Sequence, residues 1–108
     1  MRDFVREHDL PNYFEVGKSG VCHQLMVEEG FAAPGRLIVG ADSHTCTYGG
    51  INAFSTGIGS TEAAAAFATG RLWFKVPETI KVVVKGHFKP YVGGKDLIIK
   101  IITDIGVD

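Results

Sequence analysis

Apolar and polar positions change period several times along this chain, and each period predicts an element. Leu37, Ile38 and Val39 form a short apolar run bounded by glycine, which predicts a buried strand. Thr79 to Lys85 alternates, with Ile80, Val82 and Val84 on one face and Lys81, Val83 and Lys85 on the other. That pattern predicts a strand packed on one side and partly solvated on the other, near a sheet edge. Tyr13 to Val16 alternates weakly and predicts a third short strand leading to Gly17.

Helical spacing appears four times. Phe4 and Val5 sit among charges from Arg2 to His8, a short helix stopped before Pro11, because the residue preceding proline is pushed out of the α region. Val21, Leu25 and Met26 fit a short helix between Gly20 and Gly30. Ser60 reads as the N-cap of a helix carrying Glu62 in its first turn, four consecutive alanines from Ala63, and Gly70 as its stop. Leu97, Ile98, Ile101, Ile102 and Ile105 form one apolar face of a last helix that starts near Lys95 and closes at Gly106, ahead of a terminal Val107-Asp108. Pro34-Gly35 turns the chain into the central strand. Thr45 to Ser55 reads as a polar, glycine-containing loop anchored by Tyr48 and Phe54. Together these elements predict an α/β fold, a mostly parallel sheet flanked by helices, with residues 1–108 forming part of one domain.

Composition narrows the function classes. Of 108 residues, 45% are hydrophobic and 21% charged, which excludes a disordered chain. A formal net charge of −1 with scattered Lys and Arg offers no nucleic-acid or membrane-surface footprint. No apolar run approaches the roughly 20 residues of a membrane helix, and the opening MRDFVREHDL lacks the apolar core of a signal peptide. Two cysteines, Cys22 and Cys46, in no CxxC spacing, argue for a reducing cytoplasm and against a disulfide framework.

The chemistry concentrates where the central strand ends. Asp42, Ser43 and His44 follow it directly, and in an extended chain positions i and i+2 project to one side. Asp42 and His44 therefore face one pocket, whereas Ser43 reaches a ligand only if the backbone turns. Glycines 49, 50, 57 and 59 then permit close backbone approach. Strand ends of this kind are where α/β proteins place ligands. A serine-hydrolase reading lacks support, because Ser43 is in no G-x-S-x-G elbow and three adjacent residues do not line up as a relay. A phosphate cradle at Gly57-x-Gly59 is weak as well: the third glycine of a dinucleotide fingerprint is missing, and Glu62 would repel a phosphate. A lone His23 among apolar neighbours is more often a hydrogen-bonded structural residue. Cys22 and Cys46 are too few to hold a four-cysteine cluster, and Cys46 is expected to be a small buried filler.

One resemblance reweighs these residues. Asp42-Ser43-His44-Thr45, the glycine-rich stretch and Gly57-Ile58-Gly59-Ser60, with Gly20-Val21-Cys22-His23-Gln24 upstream and Leu72-Trp73-Phe74-Lys75-Val76-Pro77-Glu78-Thr79 downstream, resemble the aconitase superfamily. Within it they look most like the large subunits of isopropylmalate dehydratases and their homoaconitase relatives, of which this chain would be an internal part. The resemblance implies an aconitase-like iron–sulfur domain and isomerisation of isopropylmalate by dehydration and rehydration, as in leucine biosynthesis. Homoaconitate or another 2-hydroxy acid is the alternative substrate, and an inactive small-acid-binding fragment the non-enzymatic one. It further implies a [4Fe–4S] cluster whose three cysteines lie downstream of this chain, and a small, swivelling-domain subunit that supplies the carbon-proton base. The substrate would be a 2-hydroxy di- or tricarboxylate. His23, Asp42 and His44 would be catalytic, His23 and Asp42 as a supporting pair, and Ser43 would bind a substrate carboxylate. No residue here would be a cluster ligand.

Overall fold

The computed structural model describes residues 1–106 and divides into two units, Met1–Phe74 and a second beginning at Lys75. In the first unit the elements follow as α1 (Arg2–Glu7), α2 (Cys22–Glu28), β1 (Leu37–Gly40), a 3-10 helix (Ser43–Ile51), β2 (Phe54–Gly57) and α3 (Ser60–Thr69). β1 and β2 pair in parallel, with Leu37 opposite Phe54 and Gly40 opposite Gly57. Parallel strands need a crossover rather than a tight hairpin. Here the 3-10 helix supplies it.

That helix replaces the loop expected from Thr45 to Ser55, and the same span also hides the start of β2. The burial pattern explains both. In a 3-10 helix, side chains at i and i+3 eclipse one another. Thr45 and Tyr48 are buried (3% and 4% exposed) and Ile51 packs beside them, so every third residue faces inward. Ala32, Ile38, Tyr48 and Ala53 form the small core, with Met26 and Ile51 against it. Asn52 then takes a left-handed conformation (φ 64°) that ends the helix, and its carbonyl accepts a bond from Gly35 N–H at 2.9 Å. Phe54 enters β2 with its ring half-exposed against Phe74, so of the two expected anchors only Tyr48 is buried.

Three local expectations are corrected. Tyr13–Val16 forms no strand: Val16 makes an isolated bridge to Ser19, while Glu15 is drawn into an ion pair with Arg2 at 2.8 Å. The N-cap of α3 is Gly59, not Ser60, and no side-chain oxygen caps the helix; the Glu62 carboxylate instead lies over Gly59. Cys46 is exposed rather than buried, because it shares a ridge with Ser43 on the outer side of the 3-10 helix. Gly70 ends α3 in the left-handed conformation expected of a C-terminal stop.

In the second unit, α4 (Gly94–Ile105) carries the amphipathic pattern and is capped by Asp96, whose carboxylate accepts the Gly93 N–H at 2.8 Å. Leu97 and Ile101 are half-buried, while Ile98, Ile102 and Ile105 remain exposed. Residues Thr79–Lys85 form no strand, and Val82, Val83 and Val84 are all exposed. Alternation declares which faces a strand would have, but a strand persists only when a partner takes its backbone groups. No helix among the described residues is long and apolar enough to cross a membrane.

Candidate functional site

The site forms where β1 and β2 end side by side. Asp42 leaves β1 in an extended conformation (φ −144°, ψ 135°) and its carboxylate accepts the His44 backbone N–H at 2.8 Å, capping the 3-10 helix. Thr45 closes the turn, since its N–H and hydroxyl both donate to the Asp42 carbonyl, at 3.2 and 2.8 Å. The backbone thus bends immediately after Asp42, which is the condition under which Ser43 becomes available to a ligand. The bend is tight against β2. A Cβ on Gly57 would stand 2.7 Å from the Asp42 carbonyl oxygen and 3.3 Å from the Ser43 Cα.

His23 arrives from the first turn of α2. Its Nε2 lies 3.1 Å from Asp42 Oδ1, and its Nδ1 lies 3.3 Å from the Tyr48 hydroxyl, itself 3.4 Å from the Cys22 carbonyl. A carboxylate only accepts, so a neutral His23 carries its proton on Nε2 and leaves Nδ1 to accept from Tyr48. Burial, then the nearby Cys22 and Asp42, push the Tyr48 phenol above its ordinary value, which keeps it a neutral hydroxyl. Tyr48 was legible in sequence only as a packing anchor; nothing in its local pattern signals a polar partner brought from α2.

His44 completes the group. Its Nδ1 is 3.4 Å from Asp42 Oδ1 and 3.4 Å from Ser43 Oγ, and its side chain is 79% exposed. Both neighbours address the same nitrogen. A Ser-His-Asp relay needs the serine on one ring nitrogen and the carboxylate on the other, so this arrangement is not one. It leaves His44 Nε2 without a hydrogen-bond partner among the described residues. Asp42, Ser43, Cys46, Thr56, Gly57 and Gly59 help line an open groove of about 470 Å³ beside these groups. The groove, three titratable side chains and a hydroxyl suit recognition of a small acid and proton transfer to or from it.

The cysteines do not suit an iron–sulfur cluster. The chain has two, both exposed. Cys22 Sγ rests 3.7 Å from His23 Nδ1 and Cys46 Sγ 3.7 Å from the Ser43 carbonyl, and two cysteines by themselves are too few to hold a cluster.

The Asp42 carboxyl is held below its ordinary value, first by the His44 N–H, with His23 and His44 adding to it and burial opposing it. A lowered native value means the folded chain binds fewer protons than the unfolded one as the group titrates. The resulting stability is present above the unfolded value of about 3.9 and is lost as pH falls through the folded value. Denaturant midpoints followed from pH 6 downward should therefore drop more steeply below about pH 4 in the wild type than in Asp42→Asn. Parallel curves would remove Asp42 from the acid response.

A family model for the aconitase family (aconitate hydratase) matches residues 1–108. The chain is 60% identical over 108 residues to the 3-isopropylmalate dehydratase large subunit of Moorella thermoacetica. Identity is 59% to that of Desulfatibacillum aliphaticivorans and 58% to that of Halothermothrix orenii. Each match covers 100% of this chain and 26% of the relative, so the chain spans about a quarter of the length of these proteins.

Proposed function

The chain belongs to the aconitase family, and from that premise we propose that it forms part of the large subunit of a cytoplasmic hydro-lyase isomerising 3-isopropylmalate. One observation carries the reading: the His23–Asp42–His44 group with Ser43 stands at a parallel strand end in a chain 56–60% identical to 3-isopropylmalate dehydratase large subunits. In this proposal Ser43 Oγ donates to a carboxylate of the substrate in the groove. His44 exchanges a proton at the substrate hydroxyl through Nε2, while its Nδ1 is steadied by Asp42. His23 acts through Asp42, holding the carboxylate in place while Tyr48 fixes the far side of the ring. The [4Fe–4S] cluster of the whole enzyme would be held by cysteines outside these 108 residues, and the small subunit would supply the base at the carbon-bound proton and much of the side-chain preference.

In the complete enzyme with its small subunit, Ser43→Ala is expected to weaken substrate binding by roughly 1.5–3 kcal/mol, the worth of a hydrogen bond to a charged group. That is a KM about 10–150-fold higher with kcat changed far less, read by absorbance of the alkene intermediate formed from 3-isopropylmalate. Unchanged KM would take Ser43 out of the substrate site. Cys46→Ser should retain the cluster, and this chain by itself, reconstituted anaerobically with iron and sulfide, should show no stoichiometric four-iron chromophore. Loss of the cluster in Cys46→Ser would contradict the ligand assignment.

A further inference from the structure

Tyr48 is buried in the small core beside Ala32, Ile38 and Ala53, a place that a phenylalanine ring would fill as well. Its hydroxyl is therefore the informative part, because a buried hydroxyl costs free energy unless it is bonded. It meets His23 Nδ1 at 3.3 Å and the Cys22 carbonyl at 3.4 Å, both in the first turn of α2. Asp42, at the cap of the 3-10 helix, meets the other ring nitrogen, Nε2, at 3.1 Å. Asp42 and Tyr48 stand two three-residue repeats apart, and so lie along one side of that helix. A single ridge thus addresses one imidazole at both of its nitrogens.

We propose that Tyr48 is a positioning residue for the proton-transfer step, its hydroxyl holding His23 in the one ring orientation that keeps Nε2 on Asp42. This inference rests on the hydro-lyase reading of the site. A histidine ring bonded at one end alone can turn about its Cβ–Cγ bond, which exchanges Nε2 with Cε1 and Nδ1 with Cδ2. With both nitrogens bonded, a turned ring loses two bonds at once and sets carbon against the carboxylate. The same pairing fixes the tautomer. Asp42 accepts the Nε2 proton, so Nδ1 presents a lone pair, and the Tyr48 hydroxyl supplies the proton that faces it. Cys22 Sγ also lies 3.7 Å from Nδ1, but a thiol is a weaker donor and this one is exposed. The phenol, raised above its ordinary value first by burial, keeps the proton it gives. Asp42 in turn caps the His44 backbone N–H at 2.8 Å, so a carboxylate that loses its His23 contact shifts the residue proposed to meet the substrate hydroxyl.

The test is a double-mutant cycle in the complete enzyme with its small subunit, with 3-isopropylmalate as substrate. Tyr48→Phe is expected to lower kcat by about 3–10-fold, the worth of one ordinary hydrogen bond, with KM nearly unchanged. In a His23→Ala background the same substitution should lower kcat no further, because the group it positions is gone. Ile51→Val, a packing change on the same ridge, should leave kcat and KM as in the wild type. Hydrogen–deuterium exchange at the His23 Cε1–H, followed by mass spectrometry, reads the bond without turnover. Its half-time should change at least about threefold in Tyr48→Phe, while that of the exposed His87 stays fixed. Unchanged kcat in folded Tyr48→Phe, equal losses in both backgrounds, or unchanged His23 exchange each overturns the proposal. A wild-type enzyme inert toward 3-isopropylmalate removes the hydro-lyase reading instead, and the exchange measurement then decides whether Tyr48 positions His23.

Discussion

Replacing His44 by alanine in the complete enzyme should lower kcat by about 10²–10⁴-fold, the usual worth of one positioned acid–base group. The size follows from the geometry. His44 stands beside the groove with Nδ1 turned back to Asp42 and Ser43, so in the proposed reading Nε2 is left for the substrate. Its side chain is 79% exposed and contributes nothing to the core, so alanine there should leave the denaturant midpoint nearly unchanged. The Asp42 turn keeps its cap, because the bond at 2.8 Å comes from the backbone N–H of residue 44, which alanine retains. Steady-state kinetics on His44→Ala beside Ser43→Ala should separate a kcat defect from a KM defect. Equal kcat in His44→Ala and wild type would show that the ring takes no part in the proton step.

Gly57→Ala should have the second largest effect, and it acts through the backbone. The added Cβ would meet the Asp42 carbonyl oxygen at 2.7 Å and the Ser43 Cα at 3.3 Å. Neither is the end of a flexible side chain. The Asp42 carbonyl also accepts both bonds from Thr45, so moving it pulls on the buried ridge of the 3-10 helix. Overpacking of this kind costs about 1–3 kcal/mol and occasionally more. A shift of the Asp42–Ser43 peptide would carry both side chains out of register with His23, so activity should fall further than stability. Gly49→Ala is the comparison, since a Cβ there meets nothing within 4 Å. Identical melting curves and kinetics for the two variants would contradict the close-packed seam.

Much of this fold was legible in the chain itself. α1, α2, α3 and α4 follow from spacing and terminators that act within a few residues, and β1 follows from an apolar run set between turn signals. The two strand expectations at Tyr13–Val16 and Thr79–Lys85 show the limit of the same reasoning. Their alternation is real, yet pairing depends on residues far along the chain, which no local pattern specifies. The 3-10 helix was missed for a different reason. Its buried ridge, Thr45, Tyr48 and Ile51, has a period of three, which falls between the helical and strand periods and mixes a hydroxyl and a phenol with one aliphatic residue.

The candidate site divides along the same line. The adjacency of Asp42, Ser43 and His44 is a property of the sequence, as is the count of two cysteines, too few to hold a four-cysteine cluster by themselves. The sequence also contains His23, but its place beside Asp42 entered only through family resemblance, because side chains on different elements have no local signal of contact. Tertiary structure decided the rest. The parallel register brings Gly57 against the Asp42 turn, α2 delivers His23 to within 3.1 Å of the carboxylate, and a buried Tyr48 holds the far nitrogen. The physical reason is that helices and turns are stabilised by bonds between near neighbours, whereas a strand pairing or a three-residue site gains its energy only after the intervening chain has closed its loops.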